Sequence, residues 1–553
     1  MKYKLLLLML VLTASKTFSQ TTFTFNGIGD WTNTANWSLG NYPGTTVDAN
    51  EIVEIYGKVT VDQPTIITNN GAISSFSSAN GDNSEINIFG GLVNNKNINF
   101  SRATITVAVG GRIVTNGTSE LVITNSTQLT NTGRIVIFGG LISINSLSSS
   151  IINDGTGAVS NYGILKVLSG TFENKSTVNN SIYNNGMFEI ANGNVINRGV
   201  FFNDVNGVLL NSKTFSNEST GRIDNSGQIT VTSFGAAIIN SGNLNNNKNI
   251  SLQDSSKLNM AISSSIFTNQ DTGIVVVSNN SSIENNSSDF SIRGGKVING
   301  GTIDNNTSIF IGGVGELENN GTLNNNFGAT INNFGRLSGI NTVHSGSFTN
   351  GSVLSPGNTN DATGLYKLDS FFTSYVQTVS GSLNIQLAGN VAGDNYDQVI
   401  VNRDATLNGT LNVSLLNGFE PNTGAVFTIL REGRNLSGTF ATVNLPILTG
   451  GKVWNAVEYN NTDGVRISVS TALSVSDIDN ESLKFKIYPN PVTDKINVSG
   501  VSTISNASVH DFNGRRILET ELSNVNSSID LSMLPFGVYL LKIKGQTFKF
   551  VKI

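Results

Sequence analysis

The chain has 553 residues, a net charge of -5 and only 13% charged residues, a composition that excludes a basic nucleic-acid-binding surface. It contains no cysteine, so neither disulfides nor thiolate-bound metals can hold it together. Glycine is plentiful, with 58 residues, and helix-favouring runs are scarce. We therefore expect an all-β protein, built either as several domains or as one long repeat array.

Residues 1–19 are predicted to be a secretory signal peptide. A basic start, MKYK, precedes an apolar run from Leu5 to Leu12. The small residue Ser19 then precedes Gln20, which fits a cleavage site between the two. A membrane anchor is the less favoured alternative, because the run is well short of the roughly 20 residues that a spanning helix needs.

Residues 20–60 are predicted to cap the start of a repeat array. They contain GIGDWTNTANWSLGNYPG, in which Trp31 and Trp37 stand six positions apart. The segment resembles the leading part of secreted bacterial β-helix proteins, where such an element closes the first turn. We expect the two indole rings to cover the open end of an apolar core; stacking on carbohydrate is the alternative.

Residues 61–351 repeat with a period of about 21 residues. Asparagine followed within two positions by glycine recurs at Gly163, Gly186, Gly207 and Gly227. Short runs rich in β-branched residues, such as RIVIFGG and QITVTSF, lie between the glycines. In GTLNNNFGATINNFGRLSGIN the glycines are seven apart, one third of the period. The sequence therefore predicts a right-handed parallel β-helix, or β-solenoid, with three short strands per turn.

Glycine and asparagine are predicted to form the corners of this solenoid, because both tolerate a positive φ. Asparagines at equivalent corners are expected to stack as amide ladders along the axis. The alternative is a disordered asparagine-rich segment. We favour the solenoid because 38% hydrophobic residues at regular spacing can bury a core.

Residues 352–470 contain longer strands and less asparagine. The stretches SPG, YDQVIV, LNGTLNVSL and SGTFATV resemble the C-terminal part of autotransporter-type β-helix passengers. The resemblance implies a continuation and end cap of the solenoid. Asp394 and Asp397 in GDNYD point only weakly to calcium, because the regular loop spacing is missing, and we expect a turn there.

A polar linker at 471–482 precedes residues 483–553, whose seven or so short strands predict a small Ig-like antiparallel β-sandwich. The segment contains Tyr488, Pro489, Asn490 and Pro491 in YPNP, Asp511, Asn513 and Gly514 in DFNGR, Gly537 and Tyr539 in LPFGVYLLKI, and Lys549 and Lys552 near the end. In these motifs and their order it closely resembles the type A C-terminal sorting domain of the type IX secretion system of outer-membraned bacteria.

This resemblance implies partners and a destination. The domain would be read by the outer-membrane translocon and its sortase-like machinery, and the cargo would be attached to surface lipopolysaccharide or released. The protein would then be extracellular or associated with the outer membrane at the cell surface. There, asparagine-rich faces are expected to contact a glycan or a host- or cell-surface ligand, and no nucleic acid.

A carbohydrate-active enzyme, a polysaccharide lyase or glycoside hydrolase, is the alternative, since solenoids of this shape also carry such activities. Asp204 and Asp224 each stand three residues before a repeat glycine, so a 20-residue step would align them one turn apart. Glu318 holds the same place several turns away, and Arg198 and Glu218 are expected to form an exposed ion pair. We assign no catalytic, cofactor-binding or metal-binding residue and expect an adhesin-like or structural protein.

Overall fold

The computed structural model describes residues 20–78, 81–340, 342–344, 346–357, 362–368, 374–472, 485–501 and 504–553. The chain forms two compact units, one ending at Ser470 and the other beginning at Thr471. The predicted signal peptide, with Ser19, lies outside the described residues, as does most of the predicted linker. Within the described ranges, no helix combines the length and apolarity needed to cross a bilayer.

The first unit is a parallel β-solenoid of about 13 turns, continued at its C-terminal end by further strands. Each turn adds one strand to each of three stacks, and each strand pairs in parallel with the strand one turn later. One short 3-10 helix, Thr34–Asn36, lies near the start. The structure confirms the predicted all-β parallel β-helix.

The strands of the three stacks are as follows. The first stack contains Thr21–Phe25, Glu51–Ile55, Ala72–Ser75, Asn97–Ser101, Glu120–Thr124, Met187–Ile190, Val208–Asn211, Gln228–Val231, Asn249–Leu252, Ile274–Val277, Lys296–Asn299, Val353–Pro356, Ser382–Leu387, Thr410–Leu415 and Thr442–Asn444. The second contains Ile28–Asp30, Lys58–Val61, Ser84–Ile88, Ala103–Val107, Gln128–Asn131, Asn194–Asn197, Thr214–Asn217, Ala237–Asn240, Lys257–Met260, Ser282–Asn285, Thr302–Asn305 and Thr322–Asn325. The third contains Thr46–Val47, Ile66–Asn69, Gly91–Asn94, Arg112–Asn116, Arg134–Phe138, Ala158–Asn161, Ile182–Asn184, Val200–Asn203, Arg222–Asn225, Asn243–Asn246, Ile266–Asn269, Asp289–Ile292, Ser347–Asn350, Tyr375–Gln377, Asp404–Leu407 and Asn435–Gly438.

Four longer strands bend around a corner and belong to two stacks each. Leu141–Asn153 and Ile164–Asn174 join the first and second stacks, and Ser308–Asn319 and Thr330–Gly339 join the third and first.

The four-residue strands follow one burial rule, which sets the sequence pattern. Successive side chains of a strand point to opposite faces, so the second and fourth positions of a strand such as Val200–Asn203 point inward. The second position is an aliphatic or aromatic residue, here Phe201, and the fourth is often asparagine, here Asn203. The core is therefore a column of apolar side chains bordered by buried amides.

The buried asparagines form hydrogen-bonded ladders, as expected. In each, the Nδ2 of one residue donates to the Oδ1 of the next at 2.6–2.9 Å, and every member is at most 1% exposed. One ladder runs through Asn131, Asn153, Asn174, Asn197, Asn217 and Asn240, and another through Asn161, Asn184, Asn203, Asn225, Asn246 and Asn269. The amides therefore face inward, and the expectation that the asparagine-rich repeat offers them to a ligand is wrong for these ladders.

Most of the repeat glycines serve a different purpose from the predicted one. Gly227 does not have a positive φ; a Cβ there would lie 2.3 Å from the carbonyl oxygens of Asp204 and Gly207, one turn below. Gly321 and Gly335 are equally crowded, whereas Gly328 has a φ of +83°. The corners therefore need glycine chiefly because neighbouring turns approach too closely for any side chain.

The two ends of the solenoid are closed differently. At the start, Trp31 and Trp37 are 2% and 4% exposed, and their rings meet edge to face at 4.9 Å. Both rings are buried, so they cover the core and are not available to stack on carbohydrate. At the far end, the second stack continues as a separate sheet of Thr342–His344, Leu365–Leu368, Gln398–Val401 and Val426–Glu432, closed by antiparallel Gly464–Thr471 with Lys452–Trp454 and Glu458–Asn460.

The second unit contains two antiparallel sheets, which confirms the predicted small sandwich. One sheet has Lys486–Tyr488, Lys495–Ser499 and Ser528–Asp530, and the other has Ser505–His510, Arg516–Leu522, Gly537–Ile543 and Gln546–Lys552. A core that includes Val492, Ile496, Leu541 and Phe550 lies between them.

Candidate functional site

The YPNP segment is fastened to the last strand of the second unit. The Nδ2 of Asn490 donates to the carbonyl oxygen of Lys549 at 3.0 Å, and its Oδ1 accepts from the N–H of Val551 at 2.9 Å. The N–H of Val492 then donates to the carbonyl of Val551 at 2.8 Å. The Asn490 amide therefore occupies the place of one more backbone rung beside the C-terminal strand.

The DFNGR segment is a hairpin turn organised by its aspartate. The Oδ1 of Asp511 accepts from the backbone N–H groups of Asn513 and Arg515 at 3.1 and 2.8 Å, and its Oδ2 lies 3.2 Å from the Arg515 Nε. Gly514 has a φ of +81°, which favours glycine. These residues determine the turn, which explains their pattern without a direct contact to a partner.

The two remaining groups also stabilise the domain. Strand Gly537–Ile543 carries Tyr539, whose hydroxyl donates to the carbonyl of Pro535 at 2.9 Å and whose ring stacks on Phe550. The Lys552 ammonium lies 5.3 Å from the centre of the Phe536 ring. This distance is within the range of a cation–π contact.

Tyr488 is 54% exposed, and no hydrogen bond of its side chain fixes it to the rest of the described domain. The peptide bonds that precede Pro489 and Pro491 are cis. The structure therefore gives a folding role to most of the predicted sorting residues and leaves Tyr488 accessible, and their roles in recognition stay predictions.

The predicted alignment of Asp204 with Asp224 is wrong. At this point the step between turns is 22 residues, and the register pairs Val200 with Arg222 and Phe202 with Asp224. Asp204 lies in the turn after its strand, while Asp224 lies within the next strand. The prediction places both aspartates by counting back from the repeat glycines. It fails because the number of residues per turn of the solenoid varies.

Each of these carboxylates has its own local partners. Asp224 accepts from the Arg222 Nε at 2.7 Å and from the Asn245 Nδ2 at 2.9 Å. Asp204 accepts from the Tyr183 hydroxyl and from the Asn185 Nδ2, the latter at 2.6 Å.

The pKa of Asp204 is shifted in the direction opposite to the one that acid catalysis needs. Burial alone would raise the Asp204 pKa, but hydrogen bonds from Tyr183, the Val205 backbone and Asn185 together lower it below the ordinary value. The same hydrogen bond raises the pKa of Tyr183 to about 12. Asp204 is therefore held as a carboxylate, whereas a general acid would need a raised pKa.

Glu318 and Arg198, which were also considered above, each form an ion pair. Glu318 lies 2.5 Å from the Lys296 Nζ. Arg198 forms an ion pair with Glu173 on the preceding turn, whereas a pair with Glu218 was expected. Partly exposed pairs of this kind contribute little to stability.

One family model matches the C-terminal unit. The secretion system C-terminal sorting domain family matches residues 486–553.

The chain ends in a type IX sorting domain.

No curated protein matches the sequence. Among solved structures, the chain is similar to a crystal structure of a TibC-catalysed hyper-glycosylated TibA55-350 fragment, with 14% identity over 66% of this chain and 94% of that chain. The TM-score of 0.19 is too low for this match to carry an argument. The sorting domain nevertheless makes the protein a secreted β-solenoid cargo that interacts with the type IX machinery.

Sequence reasoning missed a buried acid near the end of the solenoid. GDNYD forms a turn, and its last residue, Asp397, is fully buried. Its carboxylate accepts from the N–H groups of Gly364 and Gln386 at 2.7 and 2.8 Å, and burial raises its pKa to about 8. Within the described ranges, no group of three or more His, Asp or Glu side chains is placed to hold a metal ion.

Sequence reasoning also missed an outward row of aromatic rings on the third stack. The rings of Phe138, Tyr162, Tyr183 and Phe202 follow one another with centroid separations of 5.4, 5.6 and 5.8 Å. Phe138 and Tyr162 are 52% and 45% exposed. The sequence does place an aromatic residue at the end of each of two successive third-stack strands, Phe138 and Tyr162. That these residues are neighbours can be recognised only once the register is known.

Proposed function

We propose that this protein is a non-enzymatic, adhesin-like or structural component of the bacterial cell surface. The observation that carries the proposal is the joining, in one chain, of a sorting domain to a solenoid whose inward positions are filled. Apolar side chains and amide ladders occupy the interior, so a partner would be contacted from the outer faces. Surfaces of this kind suit extended binding more than enclosed chemistry.

The proposed route begins with recognition of the sorting domain by the outer-membrane translocon and sortase-like machinery. The cargo is then attached to surface lipopolysaccharide or released, and the solenoid is presented outside the cell. Its ligand is proposed to be a glycan or a host- or cell-surface component.

The local chemistry of the candidate acids supports the non-enzymatic proposal over the carbohydrate-active alternative. Asp204 and Asp224 are out of register, and each is already hydrogen-bonded to neighbours on its own or an adjacent turn. The Asp204 pKa is lowered, the opposite of what proton donation to a leaving group needs.

Export is tested by producing the full chain, and a chain lacking 486–553, in a bacterium with a type IX secretion system. We expect the full chain at the cell surface or in the medium, and the truncated chain in the periplasm. Equal export of both would contradict the assigned route. The solenoid strands of the truncated chain should keep their hydrogen-exchange protection, which controls for general misfolding.

Function is tested with the exported protein. Cells that display it should adhere to glycan-coated or cell-coated surfaces more strongly than cells lacking it, and the purified chain should not degrade polysaccharides. Turnover of any polysaccharide that is abolished by Asp204→Asn would establish the enzyme alternative instead.

A further inference from the structure

One exposed edge of the solenoid carries a row of amide and aromatic side chains that ends at a single carboxylate. It runs where the third-stack strands end, one residue per turn over seven turns. We call it the amide–aromatic edge; its members are Asn70, Asn95, Asn116, Phe138, Tyr162, Asn185 and Asp204. The backbone register sets them in line, because Asn116 pairs with Phe138 and each later member donates its N–H to the turn before. Six inter-strand steps of about 4.8 Å make the row about 29 Å long.

The first part of the edge is an exposed amide ladder. The Asn116 Nδ2 donates to the Asn95 Oδ1 at 2.9 Å, and the Asn95 Nδ2 donates to the Asn70 Oδ1 at 2.9 Å. Asn95, in the middle, uses one proton and one oxygen lone pair within the row. An amide group has two donors and two acceptor lone pairs, so Asn95 keeps donor and acceptor capacity on its solvent side.

The middle of the edge is a slipped pair of aromatic rings. Phe138 and Tyr162 are nearly parallel, with an angle of 12°, but their centroids are 5.4 Å apart. Rings in direct face contact would lie about 3.5–4 Å apart, so the two rings are offset and each uncovers part of its face. About half of each residue is solvent-exposed, so the pair presents a contiguous apolar surface beside the amides.

The far part of the edge returns to polar groups. Tyr183 packs against Tyr162 at 5.6 Å and donates its hydroxyl proton to Asp204. The Asn185 Nδ2 donates to the same carboxylate at 2.6 Å. These donors leave Asp204 as a fixed acceptor. The row itself contains no basic side chain.

We propose that the amide–aromatic edge binds an extended, uncharged polysaccharide whose chain lies along the solenoid axis. Pyranose rings offer apolar C–H faces to the Phe138 and Tyr162 rings, and their hydroxyls are both donors and acceptors that match the amides on either side. The absence of a basic group from the row disfavours a polyanion, because such ligands are bound through Lys and Arg. This inference rests on the proposed function and assigns the binding surface within it.

The test measures binding of neutral glucans, mannans and xylans to the full chain by affinity electrophoresis and calorimetry, with a polyuronate as the charged comparison. Phe138→Ala with Tyr162→Ala is expected to weaken binding at least tenfold. The matched control is Phe76→Ala, which removes a ring that is 37% exposed and stacks on Tyr56 at 5.1 Å on a different line of the solenoid. This control should bind as the parent chain does.

If the ring variants unfold, Asn95→Lys tests the proposal in their place. It puts a charge at an exposed position of the row and should therefore also weaken binding. Binding of the parent chain to at least one neutral polysaccharide, lost in the edge variants and kept in Phe76→Ala, supports the proposal. Equal binding by all variants, binding of the polyuronate alone, or no binding by the parent chain overturns it. In those cases adhesion of displaying cells still decides whether the broader proposed function stands.

Discussion

Two adjacent asparagines allow a direct measurement of what a buried amide ladder contributes. Asn305 is buried and donates to the Asn325 Oδ1 at 2.6 Å and the Thr330 carbonyl at 3.0 Å, while accepting from the Asn285 Nδ2 at 2.7 Å. Its neighbour Asn306 belongs to a parallel ladder in the same turns but is exposed. The substitutions Asn305→Ala and Asn306→Ala therefore remove the same atoms from two environments.

The expected costs follow from the groups left without partners. Asn285 keeps a second acceptor, the Ser308 carbonyl at 2.8 Å, but the Oδ1 of Asn325 loses its ladder donor in a buried site. One unsatisfied buried acceptor costs about 1–3 kcal/mol, and the small void left by truncation adds about 1 kcal/mol. We expect Asn305→Ala to lower the free energy of unfolding by about 3 kcal/mol, and Asn306→Ala by about 0.5 kcal/mol or less.

The assay must be local, because long repeat arrays do not unfold in one step. Hydrogen exchange of the full chain, followed by mass spectrometry, reports the opening free energy of the strands Ser282–Asn285, Thr302–Asn305 and Thr322–Asn325. Faster exchange in all three strands for Asn305→Ala, with little change for Asn306→Ala, is expected. Equal effects of the two substitutions would refute the reasoning that burial makes the ladder stabilising.

Three further outcomes are expected. The Asp397 pKa of about 8 lies above the unfolded value of 3.8, so the folded chain binds more protons between them and stability should fall as pH rises from about 4 to about 8, by up to about 1.4 kcal/mol per pH unit. The opening free energy of the adjoining strand Gln398–Val401, measured by hydrogen exchange across that range, should show a shallower slope for Asp397→Asn, and an unchanged slope would contradict the assignment. Asn490→Ala should lower the melting temperature of the sorting domain and reduce surface export. Export at the parent level despite a lower melting temperature would show that the amide matters only for stability. Gly227→Ala should destabilise its turns by several kcal/mol because its Cβ would lie 2.3 Å from two carbonyl oxygens, and a variant as stable as the parent in hydrogen exchange would exclude that clash.

The sequence was sufficient for the fold because its period is directly visible. The alternation of apolar and polar residues, the recurring asparagine and the glycine two positions later all reflect a single turn of the solenoid. In Asn225 and Gly227, for example, the glycine N–H donates to the asparagine Oδ1 at 3.3 Å, which explains the motif. The sorting domain was predictable because its turns need particular residues, such as Asp511 and Gly514.

The predictions that are wrong concern contacts between neighbouring turns. The period of the sequence gives no information about the distances in those contacts. The sequence predicts a positive φ at Gly227, but the carbonyl groups of the turn below determine that only glycine fits there. Asp204 and Asp224 were aligned by counting, whereas the turn between them is two residues longer than assumed. The row from Asn70 to Asp204 could not be recognised for the same reason, because its members become neighbours only when every turn length is known.

The amide ladders also bear on how such a molecule changes over generations. Each turn presents to the next the same pattern of inward apolar residue and inward amide, with the Nδ2 always directed the same way along the ladders of Asn131 and Asn161. Duplication or loss of one complete turn would therefore join matching surfaces and keep every rung intact, whereas an insertion of a single residue within a strand would move its amide to the outside. The solenoid can thus lengthen or shorten by whole turns without a new core having to evolve.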